Sequence, residues 1–227
     1  MDQTLQTGLS NLKSSSPDIE KLFSPRETVI AALLEKYIAE IERFNPAYGL
    51  VGAKNRRELV VKHILDSLAP LGIIHRLISS FPPPRAIADA GSGAGLPGIP
   101  LAICLQDVSV TLIERMGRRT GFLRNTLAVL GLSHVTVEET EMEKAAAGQY
   151  HLVTFRAFRP LEPRILAGLF RLCTGGGVLA AYKGRREKIE EEMAAAGKAA
   201  GPWEALPCPV PFLEEARHLL MIKPPVV

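Results

Sequence analysis

The chain is poor in cysteine: 227 residues contain only three, Cys104, Cys173 and Cys208. The count is odd and the spacings are wide, so neither a disulfide framework nor a cysteine-type zinc site is expected. The five histidines are scattered and form no short ligand motif; no metal is expected. No run approaches the roughly 18 uninterrupted apolar residues of a membrane span. The most apolar stretch, residues 96–105, is broken by Pro97 and Pro100. Residues 1–16 are polar and lack the charged-then-apolar layout of a signal peptide. A flexible tail over residues 1–20 and a cytoplasmic location are therefore the expectation. There is no internal repeat. No self-complementary apolar stripe stands out, which suggests a monomer.

What is present is an ordinary globular composition, 47% hydrophobic and 22% charged, enough for one full core. The net charge of +3 is only mildly basic. The clustering says more than the sum. Basic residues gather at Lys54/Arg56/Arg57/Lys62, Arg115/Arg118/Arg119/Arg124, Arg156/Arg159 and Lys183/Arg185/Arg186. Any one cluster reads equally as a solvated helix face. Several around one site would make a phosphate-binding surface.

Two helices are expected in residues 21–80, packed on the core that follows. Ser24-Pro25-Arg26-Glu27 resembles a cap followed by proline in the first turn. Val29, Leu33, Leu34, Ile38 and Ile41 recur at helical spacing, and Asn45-Pro46 marks an end. A second helix is expected over residues 57–68. Pro82-Pro83-Pro84 forms a stiff connector.

Residues 81–227 change character. Short apolar strands are expected at 86–90, 108–113, 134–137, 151–155 and 178–182, the last announced by Gly175-Gly176-Gly177. Helical stretches fall between them at 98–105, 118–130 and 163–172. A further helix at 187–200 leads to a proline-rich stretch, 201–211, and a closing strand at 216–223. The fold class is α/β: a mostly parallel sheet covered on both faces, with an antiparallel C-terminal strand and N-terminal helices.

The first strand runs into Asp89-Ala-Gly-Ser-Gly-Ala-Gly-Leu-Pro-Gly98. A ligand of an open parallel sheet sits beyond the carboxyl ends of its strands. Glycines there let the backbone turn tightly and approach a ligand. Two cofactors compete. Gly93-x-Gly95-x-x-Gly98 formally fits the dinucleotide fingerprint. The register Asp89-x-Gly91-x-Gly93-x-Gly95 fits an S-adenosylmethionine turn, with Leu96 next in line. An acid beside the loop would repel a pyrophosphate but suits a ligand bearing a sulfonium and an ammonium. The second strand ends in Glu114, which can accept both ribose hydroxyls; this supports a nucleoside without separating the two cofactors. Glu139-Thr-Glu-Met142-Glu143 is a candidate adenine border, or else a solvated acidic helix start.

The fourth strand ends in Thr154-Phe155-Arg156-Ala157-Phe158-Arg159-Pro160. It offers neither the acid or amide with Pro-Pro-aromatic used on exocyclic amines nor a cysteine nucleophile. Cys208, in Pro207-Cys208-Pro209, lies far from this strand and is disfavoured as a nucleophile. Arg156 cannot act as a base at neutral pH, yet it can donate to a guanine O6 or a phosphate. Guanine N7 carries no proton to remove, so transfer to it needs positioning rather than a base.

Six ordered elements resemble the ribosomal RNA small subunit methyltransferase G family, also called GidB. They are Val61-Lys-His-Ile-Leu-Asp-Ser67, Asp89 to Leu101, Leu112-Ile-Glu-Arg-Met-Gly-Arg-Arg119 with Phe122-Leu-Arg124, Arg156-Ala-Phe158, Tyr182-Lys-Gly184 and Arg217-His-Leu219. The likeness spans residues 50–223. It implies a Rossmann-like class I methyltransferase core that methylates N7 of a guanine in the decoding-region loop of 16S rRNA. Adenosylmethionine would be the donor, leaving S-adenosylhomocysteine. The partner would be 16S rRNA or the small ribosomal subunit. Gly91, Gly93, Glu114, Met142 and Glu143 would border the cofactor, and Arg156 would lie near cofactor and target base. His63, Arg118, Arg119, Arg124, Lys183 and Arg217 would contact RNA or support the site. The chain departs from the family at Gly49-Leu50-Val51, where Asn-Leu-Thr is usual, and at Glu141, where an arginine is. Its strand end reads Glu114-Arg115 where many members have Asp-Ser. Another nucleic-acid methyltransferase, an NAD-dependent oxidoreductase and a non-catalytic RNA binder are the rival readings.

Overall fold

The computed structural model describes residues 2–156 and 160–225. The sequence element Arg156-Ala-Phe158 and the cation Arg159 therefore lie partly outside the described residues.

Seven strands form one sheet: β1 (Arg85–Ala90), β2 (Val108–Glu114), β3 (Val135–Glu139), β4 (Tyr150–Arg156), β5 (Cys173–Lys183), β6 (Trp203–Pro207) and β7 (His218–Ile222). Their spatial order is β3-β2-β1-β4-β5-β7-β6. The first five pair in parallel. β7 runs antiparallel between β5 and β6. The expected closing strand is thus present with a second antiparallel partner, β6, inside the stretch read as proline-rich. Prolines at both flanks and a largely exposed face hide β6 from a periodicity argument. The Gly175-Gly176-Gly177 turn lies within β5, beside a register shift against β4, instead of ahead of it.

Alternate strand residues supply two cores, as a sheet buried on both faces requires. Ile87, Leu112 and Leu152 pack into one, and Ala88, Ile113 and Val153 into the other. The first core is shared with α7 (Gly98–Cys104), α8 (Gly117–Leu130) and the N-terminal helices; the second with α9 (Pro163–Leu172) and α10 (Arg186–Ala196).

The N-terminus corrects the expectation of a flexible tail. α1 (Gln3–Ser15) buries Leu5, Leu9 and Leu12, and α2 (Pro17–Phe23) buries Ile19 and Phe23. Asp2 caps α1 by accepting from the Leu5 N–H at 3.0 Å. Gly8 lets α1 lie directly on Leu65, where a Cβ would come within 2.3 Å of that side chain. Arg56 ties the unit together by pairing with Asp2, Glu35 and Glu42.

α3 (Glu27–Tyr48) starts after Arg26, later than the expected cap at Ser24, and runs through Pro46. It stops at Gly49, whose φ of +58° closes the helix in the left-handed region. The expected second helix is α4 (Arg56–Leu59), a π-helical stretch (Val60–Leu65) and α5 (Asp66–Leu68) in unbroken succession. An unforeseen helix, α6 (Leu71–Ser79), follows and buries Leu71, Ile74 and Ile78. Among the described residues no helix is long and apolar enough to cross a membrane.

Candidate active site

The chain leaves β1 toward β2 on one side and returns to β4 on the other. That reversal opens a crevice above the carboxyl ends of the strands. The turn after β1 lines it. Gly91 and Gly93 have φ of +70° and +60°, values that a residue with a Cβ rarely adopts. Gly95 also has positive φ, yet it serves the interior: a Cβ there would meet Ile99 at 2.5 Å and Leu123 at 3.0 Å.

Asp89 lies beneath the turn and lines no part of the crevice. It is 1% exposed. Its Oδ2 accepts from the Gly98 N–H at 2.9 Å and the Ser92 hydroxyl at 3.0 Å, pinning both ends of the loop. Its Oδ1 has no partner. Burial pushes the carboxyl up to about 6, against the pull of those two bonds. The acid therefore shapes the turn from inside; the sequence reading placed it at the ligand.

Glu114 ends β2 and is 4% exposed. Its Oε2 accepts from the Gly93 N–H and its Oε1 from the Met116 N–H, both at 2.9 Å, and Arg119 lies 3.8 Å away. One carboxylate thus fastens the glycine turn to the second strand while facing a cavity of about 210 Å³. Gly91, Met116, Glu141, Met142 and Glu143 are among the residues that line it with Glu114. No helix starts at Glu139, against the second of the two readings of the acidic stretch. Arg171 holds the segment by donating to the carbonyls of Met142 and Glu143 at 3.0 and 3.1 Å.

A larger cavity of about 550 Å³ adjoins the first, sharing Gly91 and Arg119 with it. The turn residues Gly93 and Leu96 form one wall. Leu50 and Val51 of the departure segment, with Gly52 after them, form another, and Lys183 and Arg217 border it from β5 and from just before β7. The π-helical stretch brings Lys62 and His63 in, and α5 brings Asp66. π-helical turns recur at functional sites, where the extra residue re-aims its neighbours.

Arg156, at the end of β4, is fixed inside this cavity. Its Nη1 donates to Asp66 Oδ2 at 2.9 Å and to the His63 and Lys62 carbonyls at 3.5 and 3.4 Å. Its Nη2 stands 3.3 Å from His63 Nδ1. The other Asp66 oxygen accepts from Arg217 Nε at 2.9 Å. His63 Nε2 lies 3.1 Å from the Gly52 carbonyl. A neutral imidazole protonated on Nε2 satisfies both contacts. Burial, and then the Arg156 cation, hold the His63 pKa below its usual value, which agrees with that state.

Two expected RNA contacts, Arg118 and Arg124, fall outside both cavities. Arg118 lies on the α8 surface with its guanidinium 5.6 Å from the Tyr48 ring centroid. Arg124 pairs with Glu139 at 3.0 Å on the sheet flank. Cys208 is buried, with its thiol pushed up to about 11 by desolvation, so it is a poor nucleophile.

Sequence reasoning missed three side chains that build the site. Tyr37 reaches from α3 to donate to the Ala94 carbonyl of the glycine turn at 2.8 Å, in full burial. Tyr182 donates to the Ser67 carbonyl at 2.8 Å, tying β5 to α5. Asp66 joins two arginines. It lies within the His-Ile-Leu-Asp-Ser element, but its partners are 90 and 151 residues away.

The model of the GidB family, rRNA small subunit methyltransferase G, matches residues 30–220. A ribosomal RNA small subunit methyltransferase G from Treponema denticola is 38% identical, covering 86% of this chain and 87% of that protein. The namesake from Treponema pallidum subsp. pallidum is 40% identical, with 86% of each covered. Among solved structures, the CurJ carbon methyltransferase superposes with a TM-score of 0.61 at 12% identity, covering 91% of this chain and 70% of that one. That likeness is one of fold. The extent and identity of the sequence matches make the chain a member of the rRNA small subunit methyltransferase G (GidB) family.

Proposed function

We propose that the protein transfers a methyl group from S-adenosylmethionine to N7 of a guanine in the decoding-region loop of 16S rRNA. The observation that carries this reading is Arg156, held by Asp66 in a cavity whose other charged lining residues, Lys62, Arg119, Lys183 and Arg217, are all cations.

The residues present fit the cofactor. Gly91 and Gly93 leave the turn without side chains on its ligand face. Glu114, although bound by two backbone N–H groups, keeps a further acceptor site on each oxygen for a ribose hydroxyl. Met142 offers an apolar border for a flat ring. When bound, adenosylmethionine supplies an electrophilic methyl group on a sulfonium.

The chain's own groups then position the acceptor. Arg156 lines the cavity, and a guanidinium there can donate to guanine O6, with N7 beside it. The N7 lone pair forms the new bond to the methyl carbon as the carbon–sulfur bond breaks, and no proton leaves the base. The cavity accordingly needs no general base: Asp66 has both oxygens taken by arginines, and His63 has both ring nitrogens engaged. Methylation leaves a positive charge on the guanine ring. Arg156 and Arg217, two cations on the one carboxylate of Asp66, leave positive charge beside it that disfavours the product and assists its release.

Cytoplasmic location and action as a monomer on rRNA or the small subunit belong to the same proposal. Calorimetry with adenosylmethionine and with NAD tests the cofactor; tight NAD binding without adenosylmethionine binding would contradict it. Mass mapping of 16S rRNA from a deletion strain tests the substrate, with loss of one 7-methylguanosine expected.

A further inference from the structure

Beside the large cavity lies another cleft of about 720 Å³ that shares Lys62 with it. Its lining includes Phe212, in the loop between β6 and β7, a residue left 44% exposed. Phe212 has a φ of +67° and is the one residue other than glycine, among those described, in the left-handed region. A bulky side chain there is strained, at a cost that persists only where the surroundings impose it. Arg57 places its guanidinium over the ring, 5.4 Å from the centroid. Among the described residues Arg57 makes no ion pair.

The charges of the cleft decide what kind of occupant it suits. Lys54, Arg57 and Lys62 face Glu58, Glu214 and Glu215. Glu58 takes Lys62 Nζ and the Lys54 N–H, both at 2.7 Å. Such a balanced cleft is a poor phosphate site. A flat, neutral, polarisable group that stacks on a ring and an arginine is better matched, and a nucleobase has that chemistry. The surplus of positive charge stands next door in the cavity assigned to the target guanine, where Arg156 and Arg217 share the one carboxylate of Asp66.

We propose that Phe212, with Arg57, is a stacking platform for an unpaired nucleotide flanking the methylated guanine. The inference rests on the RNA reading of the neighbouring cavity. The strand would pass over Lys62, with the target base on one side and the stacked neighbour on the other. Splaying single-stranded bases onto aromatic and guanidinium planes is the usual way proteins read RNA loops. It would give this chain affinity for the loop without adding to the chemistry of transfer.

The test uses the full chain and a single-stranded RNA oligomer with the loop's sequence, read by fluorescence anisotropy. Stacking on an aromatic side chain predicts that Phe212→Ala weakens RNA binding about tenfold. Phe212→Trp should hold binding near the wild-type value. Phe212→Gly should lose affinity as Ala does while unfolding at an equal or higher temperature, because glycine accepts the left-handed φ without strain. Adenosylmethionine affinity should stay constant in all three. RNA binding within twofold of wild type for both Ala and Gly would overturn the platform. So would failure of Trp to rescue in a protein that remains folded. Because the readout is binding, it stands apart from methylation: Phe212-dependent binding without methyl transfer would count against the methylation reading alone.

Discussion

Asp66 and Arg156 meet at 2.9 Å across 90 residues of sequence, and the same carboxylate holds Arg217 with its other oxygen. Asp66 is 6% exposed. It thus fixes two cavity arginines, one on each of its oxygens. Removing one partner of a largely buried pair leaves uncompensated charge, a larger effect than the net worth of the pair. Asp66→Asn should lower single-turnover methyl transfer by about 10- to 100-fold, with adenosylmethionine affinity within about threefold. It should also destabilise the protein by about 1–3 kcal/mol in urea. Unchanged transfer in a folded variant would remove Asp66 from the positioning role.

Arg156→Ala should reduce transfer far more than cofactor binding, because Arg156 lines the larger cavity and not the smaller one that Glu114 faces. Arg156→Lys should recover little, since a lysine cannot reproduce the planar fork. Calorimetry and single-turnover assays together check this. Equal losses in both would contradict it.

Glu114→Ala should show the opposite split. The carboxylate faces the smaller cavity and fastens the Gly93 N–H. Loss of adenosylmethionine affinity by at least about tenfold is expected, as for a charged hydrogen-bonding group. Unaltered affinity would argue against a ribose contact.

Tyr37→Phe should weaken cofactor binding although Tyr37 touches neither cavity. The lost hydroxyl leaves the buried Ala94 carbonyl of the glycine turn without this donor. The stability cost should be about 1–2 kcal/mol, with adenosylmethionine affinity down several-fold. An unchanged affinity would show that α3 supports the turn by packing alone.

Asp89 gives a pH signature. Its carboxyl keeps its proton up to about pH 6 in the folded protein, against an ordinary value of 3.8. The folded state therefore binds more protons than the unfolded one between these values. Its contribution to stability is complete below the lower value and declines as pH rises through about 6. A shift of this size corresponds to about 3 kcal/mol. Asp89→Asn should abolish that part of the pH dependence, because the amide does not titrate. Urea midpoints for both proteins at mildly acidic and neutral pH check it; parallel profiles would place the titration elsewhere.

Much of the sheet was legible because its strands are short apolar runs bounded by turn residues. Glu114 and the glycines stood out because the chemistry of a nucleotide turn is written in adjacent residues. The site's frame was not. Tyr37, Asp66 and Tyr182 act through partners distant in sequence, and periodicity does not encode such pairs. Asp89 was read at the ligand because its neighbours are; only burial reveals that it faces inward. The N-terminal helix was legible in principle, since Leu5, Leu9 and Leu12 recur at helical spacing, but its polar composition resembled a tail. β6 carries too little apolar alternation to be found without its partner β7.

The most direct test supplies the purified protein with methyl-labelled adenosylmethionine and 16S rRNA or small subunits, then digests the RNA to nucleosides. Label recovered as 7-methylguanosine from the decoding-region loop is the predicted result. Label on any other nucleoside, or transfer that survives Arg156→Ala undiminished, would contradict it.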